Sequence, residues 1–201
     1  MRQLKDGELV IMHDDNFLRT TGIDKSLYEC ASTELAPFNQ AHIWMDWDRQ
    51  ATPALRDALR IMHDFEHLEV EVKAVESAQQ AERLATELQK QLQGFERTAV
   101  ITSFDLKIHQ ALIRQNSAFR RGLLIEDDSG EQAIAQALAF GCCQIGWMDR
   151  LATPEIIRAT QQAGLAVSVW TVNNIERAQQ LRGLGIDGLI TDFPKMMLQH
   201  L

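Results

Sequence analysis

The stretch LEVEVK at residues 68–73 begins a pattern that repeats through the rest of the chain. After it, short apolar runs alternate with amphipathic stretches, which is typical of repeated βα units in a parallel sheet. Successive runs begin about 20 to 30 residues apart, the length of one βα unit. The predicted strands are 68–73, 98–102, 121–125, 141–147, 166–172 and 187–191.

The segments between these strands carry helix signals. Within 75–92, alanine and leucine recur at spacings of three and four, which gives one buried stripe. Thr153, followed by a proline, is predicted to be an N-cap, and Asn173 or Asn174 is predicted to cap the next helix. Ser103 is predicted to cap the helix that follows the second strand.

A second informative stretch, KDGELVIMHD at residues 5–14, lies near the start of the chain. A turn at its aspartate-glycine pair is followed by an apolar run that ends in His13 and Asp14. This predicts a strand with two titratable side chains at its carboxyl end, where α/β proteins carry out their chemistry. Residues 14–67 break the βα rhythm, and we predict an irregular insertion there, with one helix that starts near Pro53.

The bulk composition restricts the class of protein. An apolar fraction of 45% and a charged fraction of 24% are ordinary for a soluble globular chain. A net charge of −8 without a basic stripe argues against a nucleic-acid partner. No apolar run approaches the roughly 18 residues of a membrane span, so no membrane association is expected. Three cysteines, an odd number with two adjacent, predict free, buried thiols and a cytoplasmic location.

The strand count fits two architectures. Six regular strands and the strand that ends at His13 suit an open doubly wound sheet, or a (β/α)8 barrel that lacks two units at its front. Such barrels typically take about 250 residues, and 201 residues fall short by about one and a half to two βα units. No repeat, low-complexity tract or linker divides the chain, so residues 1–201 are predicted to form a single domain.

Three stretches resemble the glycerophosphodiester phosphodiesterase family. They are KDGELVIMHDDNFLRTT at 5–21, HLEVEVK at 67–73, and VWTVN with GIDGLITDFP at 169–194. The resemblance implies a (β/α)8 TIM barrel that is incomplete at its N-terminus, because the family's His-Arg-Gly and Glu-x-Asp motifs would precede residue 1. It also implies metal-dependent hydrolysis of a small-molecule glycerophosphodiester to glycerol 3-phosphate and an alcohol, with Mg²⁺ or Ca²⁺ as the cofactor.

Two interpretations of the absent motifs stay open. Either the sequence is the shortened record of an active enzyme, or the short chain is genuine and is a degenerate barrel that binds phosphate esters or a partner without catalysis. In the second case, a homo-oligomer would cover the open edge of the sheet. Retention of His13, Glu71 and Lys73 favours the first interpretation, because a barrel without catalysis has no physical need for them.

His13 is the candidate catalytic residue. A histidine titrates near neutral pH and can give a proton to a departing alkoxide, as phosphodiester cleavage requires. From the residues alone, it can also be a histidine that ties down a strand end through a main-chain hydrogen bond. The resemblance places it at the family's catalytic histidine.

Charged residues alternate along 68–73. Strand geometry puts Glu69, Glu71 and Lys73 on one face, where burial inside a barrel is costly unless they bind something, although an edge strand would leave them in solvent. The resemblance implies that Glu71 is a metal ligand and that Lys73 contacts the substrate phosphate. Glu69 lies about 6.5–7 Å along the strand from Glu71, too far to bind the same ion easily, so we interpret it either as a residue that supports the ligands of the ion or as a charge inside the barrel.

Two aromatic residues complete the predicted site. The resemblance implies that Phe104 lines the pocket and that Trp170 walls the part that receives the glycerol group, although both would also be ordinary core residues. Asp192 and Pro194 are predicted to cap and end the last strand.

Overall fold

The front of the chain is irregular and contains a short antiparallel hairpin. The computed structural model describes all residues, 1–201. Strands β1 (Arg2–Gln3) and β2 (Leu9–Val10) form the hairpin. Helices α1 (Leu18–Thr21) and α2 (Leu55–Ile61) follow, with 3-10 turns between them. This part has a small core of its own, formed by Leu4, Val10, Met12, Phe17, Leu27, Cys30 and Phe38.

The rest of the chain is a βα repeat around one six-stranded parallel sheet, and all six predicted strands are confirmed. The strands lie side by side in chain order, without a reversal. The elements are β3 (Leu68–Glu71), α3 (Ala78–Gln91), β4 (Ala99–Ser103), α4 (Leu106–Arg114), β5 (Arg120–Ile125), α5 (Glu131–Ala139), β6 (Gln144–Met148), α6 (Pro154–Gln162), β7 (Ala166–Trp170), α7 (Ile175–Gly183), β8 (Gly188–Leu189) and α8 (Pro194–His200).

The sheet is curled, as contacts between polar side chains across its inner face show. Nε2 of Gln144 on β6 donates to Oε1 of Glu69 on β3 at 2.6 Å and to Oγ of Ser168 on β7 at 3.1 Å. In a flat sheet, β3 and β6 would be three strand spacings apart, about 14 Å. The hydrogen bond therefore requires strong curvature, and the six strands form part of a barrel wall. The interpretation of Glu69 as a charge inside the barrel is confirmed.

The hydrophobic core lies between the outer face of the sheet and the helices. Leu68, Val70 and Val72 are buried there, on the face opposite to Glu69, as strand alternation predicts. The predicted stripe of α3 packs in the same cluster, through Ala81, Leu84, Ala85 and Leu88. A second cluster joins the strands and helices from β5 to α8.

The prediction of a sheet strand ending at His13 is wrong. The apolar run folds as β2, which pairs antiparallel with β1, and Val10 also bridges Ala54 in the antiparallel sense. The reason lies in the turn: Gly7, at a φ of +92°, closes a hairpin with the residues before it. An apolar run alone does not show which neighbour it will pair with.

Four predicted strands are shorter than expected. The strand predicted at 68–73 ends at Glu71, and the strand predicted at 166–172 ends at Trp170. The other two differ more. The strand predicted at 141–147 begins at Gln144, because Gly141 (φ +60°) donates its N–H to the Leu138 carbonyl and belongs to the turn after α5. The strand predicted at 187–191 is reduced to Gly188–Leu189. The apolar character of these stretches extends into the adjoining turns, so the pattern overestimated both strands.

The helix caps are confirmed with one exception. Thr153 accepts from the Ile156 N–H, and of the two asparagines Asn174 is the cap. Ser103 is not a cap; Asp105 accepts from the Lys107 N–H and caps α4 instead. Ser103 donates from Oγ to the Val72 carbonyl at 2.7 Å, which ties β4 to the end of β3. A serine and an aspartate two residues apart offer the same local signal, and the position of β3 decides between them.

The prediction of free thiols is confirmed, whereas the prediction that they are buried is wrong for Cys143, which is only half-buried. All three cysteines are free, and Cys30 and Cys142 are buried. Burial raises the pKa of the Cys142 thiol to about 11. None of the helices has both the length and the apolar character that crossing a membrane requires.

Candidate active site

The segment that follows the hairpin, helix α2 and the edge strand β3 line an open cavity of about 290 Å³. His13, Glu71 and Lys73 line it, together with apolar residues of β3, α2 and the hairpin region. His13 lies three residues after the end of β2, whereas Glu71 ends β3 and Lys73 follows two residues later. The cavity therefore gathers the three residues that the sequence singled out for catalysis, metal binding and phosphate contact.

Glu71 and Lys73 form an ion pair at the end of β3. Nζ of Lys73 contacts Oε1 of Glu71, and the two side chains expose 14% and 31% of their surface. Because they are two residues apart on a strand, both side chains point to the inner face of the sheet. The Lys73 ammonium is thus held at the carboxyl end of the barrel wall, where it can move from the carboxylate to an incoming anion.

Phe104 lies beside Lys73 and Trp170 packs against Phe104, but neither lines the cavity that contains His13. The Lys73 ammonium is 6.0 Å from the centre of the Phe104 ring. The Phe104 and Trp170 rings meet edge to face, with centres 5.3 Å apart. Nε1 of Trp170 donates to the Gly146 carbonyl at 3.1 Å, which fixes the indole against β6. Both rings are therefore held in place as a rigid wall next to the ammonium.

His13 is exposed and oriented by its neighbours. Its side chain exposes 73% of its surface, and Nδ1 lies 2.8 Å from Oδ1 of Asp14. Nε of Arg2 donates to the His13 carbonyl at 2.9 Å, and Arg2 also donates to the Tyr28 hydroxyl. The ring is therefore bonded to a carboxylate, not to the main chain as the structural alternative required.

Asp14 and Arg19 were given no role by the sequence reasoning. Arg19 holds the Asp14 carboxylate in a forked contact, with Nε–Oδ2 at 2.6 Å and Nη2–Oδ1 at 3.1 Å. The hydrogen bonds from Arg19 are the main reason that the pKa of Asp14 falls to about 2. An acid directly after the histidine was a visible signal, but the contact to Arg19 depends on how α1 folds back.

The residues of the cavity do not match the ligand set of a divalent metal. No group of three or more histidine, cysteine, aspartate or glutamate side chains lies close enough together to hold an ion. Glu71 contacts the Lys73 ammonium, and Glu69 is held by Gln144. Mg²⁺ and Ca²⁺ require several oxygen ligands, and one carboxylate already paired with an ammonium does not supply them.

The family model for the glycerophosphoryl diester phosphodiesterase family matches residues 1–196. The chain belongs to this family. A glycerophosphodiester phosphodiesterase of Caldanaerobacter subterraneus is 23% identical over 198 residues, which cover 96% of this chain and 80% of that protein. The Bacillus subtilis (strain 168) protein YhdW is 25% identical over 203 residues, covering 97% of this chain and 81% of YhdW.

Solved structures of the family share the fold. A phosphodiesterase of Oleispira antarctica, in complex with the product sn-glycerol-3-phosphate, matches with a TM-score of 0.83 at 18% identity and covers 99% of this chain and 81% of that one. A glycerophosphodiester phosphodiesterase of Thermotoga maritima matches with a TM-score of 0.77 at 21% identity, covering 98% and 81%. The predicted incomplete TIM barrel is confirmed.

Proposed function

We propose that this member of the family hydrolyses glycerophosphodiesters to glycerol 3-phosphate and an alcohol. The observation that carries the proposal is the meeting of His13, Glu71 and Lys73 around one cavity at the carboxyl end of β3. A phosphodiester is a small anion, and the chain as a whole has a net charge of −8. Only a local cation can attract such a substrate, and Lys73 provides it.

Lys73 and His13 divide the work between charge and proton transfer. The Lys73 ammonium offsets the charge that builds on the oxygens of the phosphoryl group as water attacks the phosphorus and loses one proton to the solvent. When the bond from phosphorus to the departing oxygen breaks, its electron pair stays on that oxygen. His13 gives this oxygen the proton on Nε2, so the product leaves as a neutral alcohol.

Phe104 and Trp170 are proposed to bind the carbon skeleton of the substrate. Their rings form a fixed apolar corner beside Lys73. A glycerol group has apolar carbon–hydrogen edges that can pack against aromatic faces while its phosphate contacts the ammonium. Residues 1–201 act in this proposal as one barrel domain with a small-molecule substrate.

The family resemblance implies that hydrolysis depends on a metal ion. We include this dependence in the proposal, and an experiment must test it. Glu71 is the carboxylate of the cavity placed to serve as a ligand, but the residues around it do not complete a site. The mechanism above therefore uses only side chains of this chain. An assay in EDTA, compared with added Mg²⁺ or Ca²⁺, measures directly whether an ion is needed.

The test of the function is release of glycerol 3-phosphate from glycerophosphocholine, measured with a coupled enzyme assay. We expect His13→Ala to lower turnover by about 10²-fold or more, since a positioned acid contributes about 10²–10⁴-fold. Lys73→Met should abolish measurable turnover. His63→Ala is the matched control, because His63 is exposed and pairs only with its neighbour Asp64. Activity that survives both cavity substitutions would refute the proposed site.

The incomplete set of metal ligands in the cavity also favours a second candidate function, the binding of phosphate esters without catalysis. In that case the Lys73 ammonium would exchange Glu71 for a substrate phosphate, and no product would form. Titration calorimetry with glycerol 3-phosphate would then show binding that Lys73→Met removes. Binding without product release would select this function, and product release would exclude it.

A further inference from the structure

We propose that Asp14 and Arg19 are positioning residues for His13, which hold its ring with Nδ1 on the carboxylate and leave Nε2 free to act as the proton donor. This inference rests on the proposed function, which assigns the proton transfer to His13. It adds two residues that do not themselves reach the substrate. Three hydrogen bonds carry it, from His13 to Asp14 and from Arg19 to Asp14.

The His13 ring and the Asp14 carboxylate are in direct contact. Nδ1 of His13 is 2.8 Å from Oδ1 of Asp14, the separation of a charge-assisted hydrogen bond. A carboxylate only accepts hydrogen bonds, so Nδ1 must carry the proton in this contact. In the neutral ring the other nitrogen, Nε2, is then unprotonated, and in the charged ring Nε2–H is available to donate.

The Asp14 carboxylate is itself fixed in position. Arg19 contacts both oxygens of Asp14, which prevents the carboxylate from rotating and keeps it ionised. The side chain of His13 is largely exposed and has no packing to orient it. Without Asp14 and Arg19, the ring would sample several rotamers and either nitrogen could face the cavity.

Helix α1 and the core of the front segment hold Arg19 in place. Arg19 belongs to α1, which follows the buried Phe17 and ends at Gly22. Phe17 stacks on Phe38 with ring centres 4.1 Å apart, inside the small core of the front segment. Gly22 has a φ of +74°, and a Cβ there would lie 2.8 Å from the His42 ring. The core of the insertion therefore holds Arg19 in place, and Arg19 in turn fixes the Asp14 carboxylate.

The proton transfer balances with these partners. The charged ring carries one proton on Nδ1, bonded to Asp14, and one on Nε2. Transfer of the Nε2 proton to the departing oxygen leaves a neutral ring with Nδ1–H still on the carboxylate. Asp14 keeps its charge throughout, and it stabilises the charged ring before the transfer.

The first experiment measures the proton position without relying on activity. In ¹⁵N-labelled full chain at about pH 9, we expect the proton of the neutral His13 ring to lie on Nδ1. The exposed neighbour acid gives the matched control: Asp15→Asn should leave the spectrum unchanged, whereas Asp14→Asn should move the proton to Nε2. The His13→Gln variant identifies the signal among six histidines. An Nε2-protonated ring in the unsubstituted chain would overturn the proposal.

The second experiment separates positioning from a structural role. Glycerophosphocholine needs acid to expel its alcohol, whereas the p-nitrophenyl ester of glycerol 3-phosphate releases a stable anion without acid. We expect Asp14→Asn to lower kcat for glycerophosphocholine by about 10²-fold, with KM nearly unchanged, and to affect the p-nitrophenyl ester much less. Arg19→Gln should show the same selectivity to a smaller extent. Equal losses on both substrates would mean that Asp14 only supports the fold.

The two failures are distinguishable. If His13→Ala keeps full activity, the proposed function of the site fails. If His13→Ala is impaired but Asp14→Asn matches the unsubstituted chain, only the positioning of His13 fails. A double variant settles the coupling: Asp14→Asn should cost little further activity once His13 is already alanine, because the two residues act as one unit.

Discussion

Replacement of Gln144 by leucine tests the curvature of the sheet through its stability. Gln144 is 4% exposed and connects Glu69 on β3 with Ser168 on β7. Leucine has a similar volume, so the substitution removes the amide without opening a large cavity. What it leaves behind is the Glu69 carboxylate, 19% exposed on the inner face of the wall.

The expected cost follows from the charge of the group that loses its partner. A hydrogen bond to a charged group contributes about 1.5–3 kcal/mol, and an unpartnered buried carboxylate is penalised by a similar amount. His67, at 3.5 Å from Glu69, stays as a weak partner and keeps the cost within that range. For a chain of this size, 1 kcal/mol corresponds to about 2–4 °C in Tm, so we expect Gln144→Leu to lower Tm by about 3–12 °C.

The assays are thermal unfolding for Tm and urea unfolding for the free energy, both followed by circular dichroism, with a double-mutant cycle. Glu69→Leu together with Gln144→Leu should recover much of the loss, because removing both partners leaves no unpaired charge. The coupling free energy should reach about 1 kcal/mol, as for residues in contact. Gln180→Leu, at an exposed position on α7, should change the free energy of unfolding by less than about 0.5 kcal/mol. Additive effects of the Glu69 and Gln144 substitutions would show that β3 and β6 do not meet, and the curled wall would be wrong.

Three further outcomes follow from burial and backbone conformation. Burial lowers the pKa of His109 below its ordinary value of 6.5, so the unfolded chain binds a proton that the native chain does not. The free energy of unfolding should therefore fall as the pH drops below about 6.5, and His109→Gln should flatten that part of the urea-measured pH profile; an unchanged slope would contradict it. Cys142 is buried and its pKa is raised, so it should resist iodoacetamide in the native chain and react in urea. Mass spectrometry of the native chain should find the half-buried Cys143 labelled first. Gly22→Ala should destabilise the chain by about 1 kcal/mol or more, because it combines a positive φ with contact to the His42 ring; a Tm equal to that of the unsubstituted chain would show that α1 tolerates the shift.

Local patterns predicted most of the repeating half of the molecule. The strands from 68 onward, the stripe of α3 and the caps at Thr153 and Asn174 depend on residues within one turn or one strand of each other. Such signals are present in the sequence whatever the rest of the chain does. The boundaries were less accurate, as at Gly141, because apolar residues continue into turns.

The choice of a pairing partner was beyond the reach of such patterns. The run before His13 joined a hairpin with Arg2–Gln3 in place of the parallel sheet. Ser103 donates to the Val72 carbonyl instead of capping α4. In both cases a local signal was compatible with two structures, and the folded chain chose between them through the partner that each group contacts.

The sequence by itself determined the βα repeat, the inner face that carries Glu71 and Lys73, and the family, because alternation and motif spacing are properties of neighbouring residues. Tertiary structure alone decided that His13 shares a cavity with Glu71 and Lys73, and that Arg19 secures Asp14. The physical reason is curvature and packing. Side chains from elements separated by up to 75 positions meet only when the sheet curls and the insertion folds around its own core.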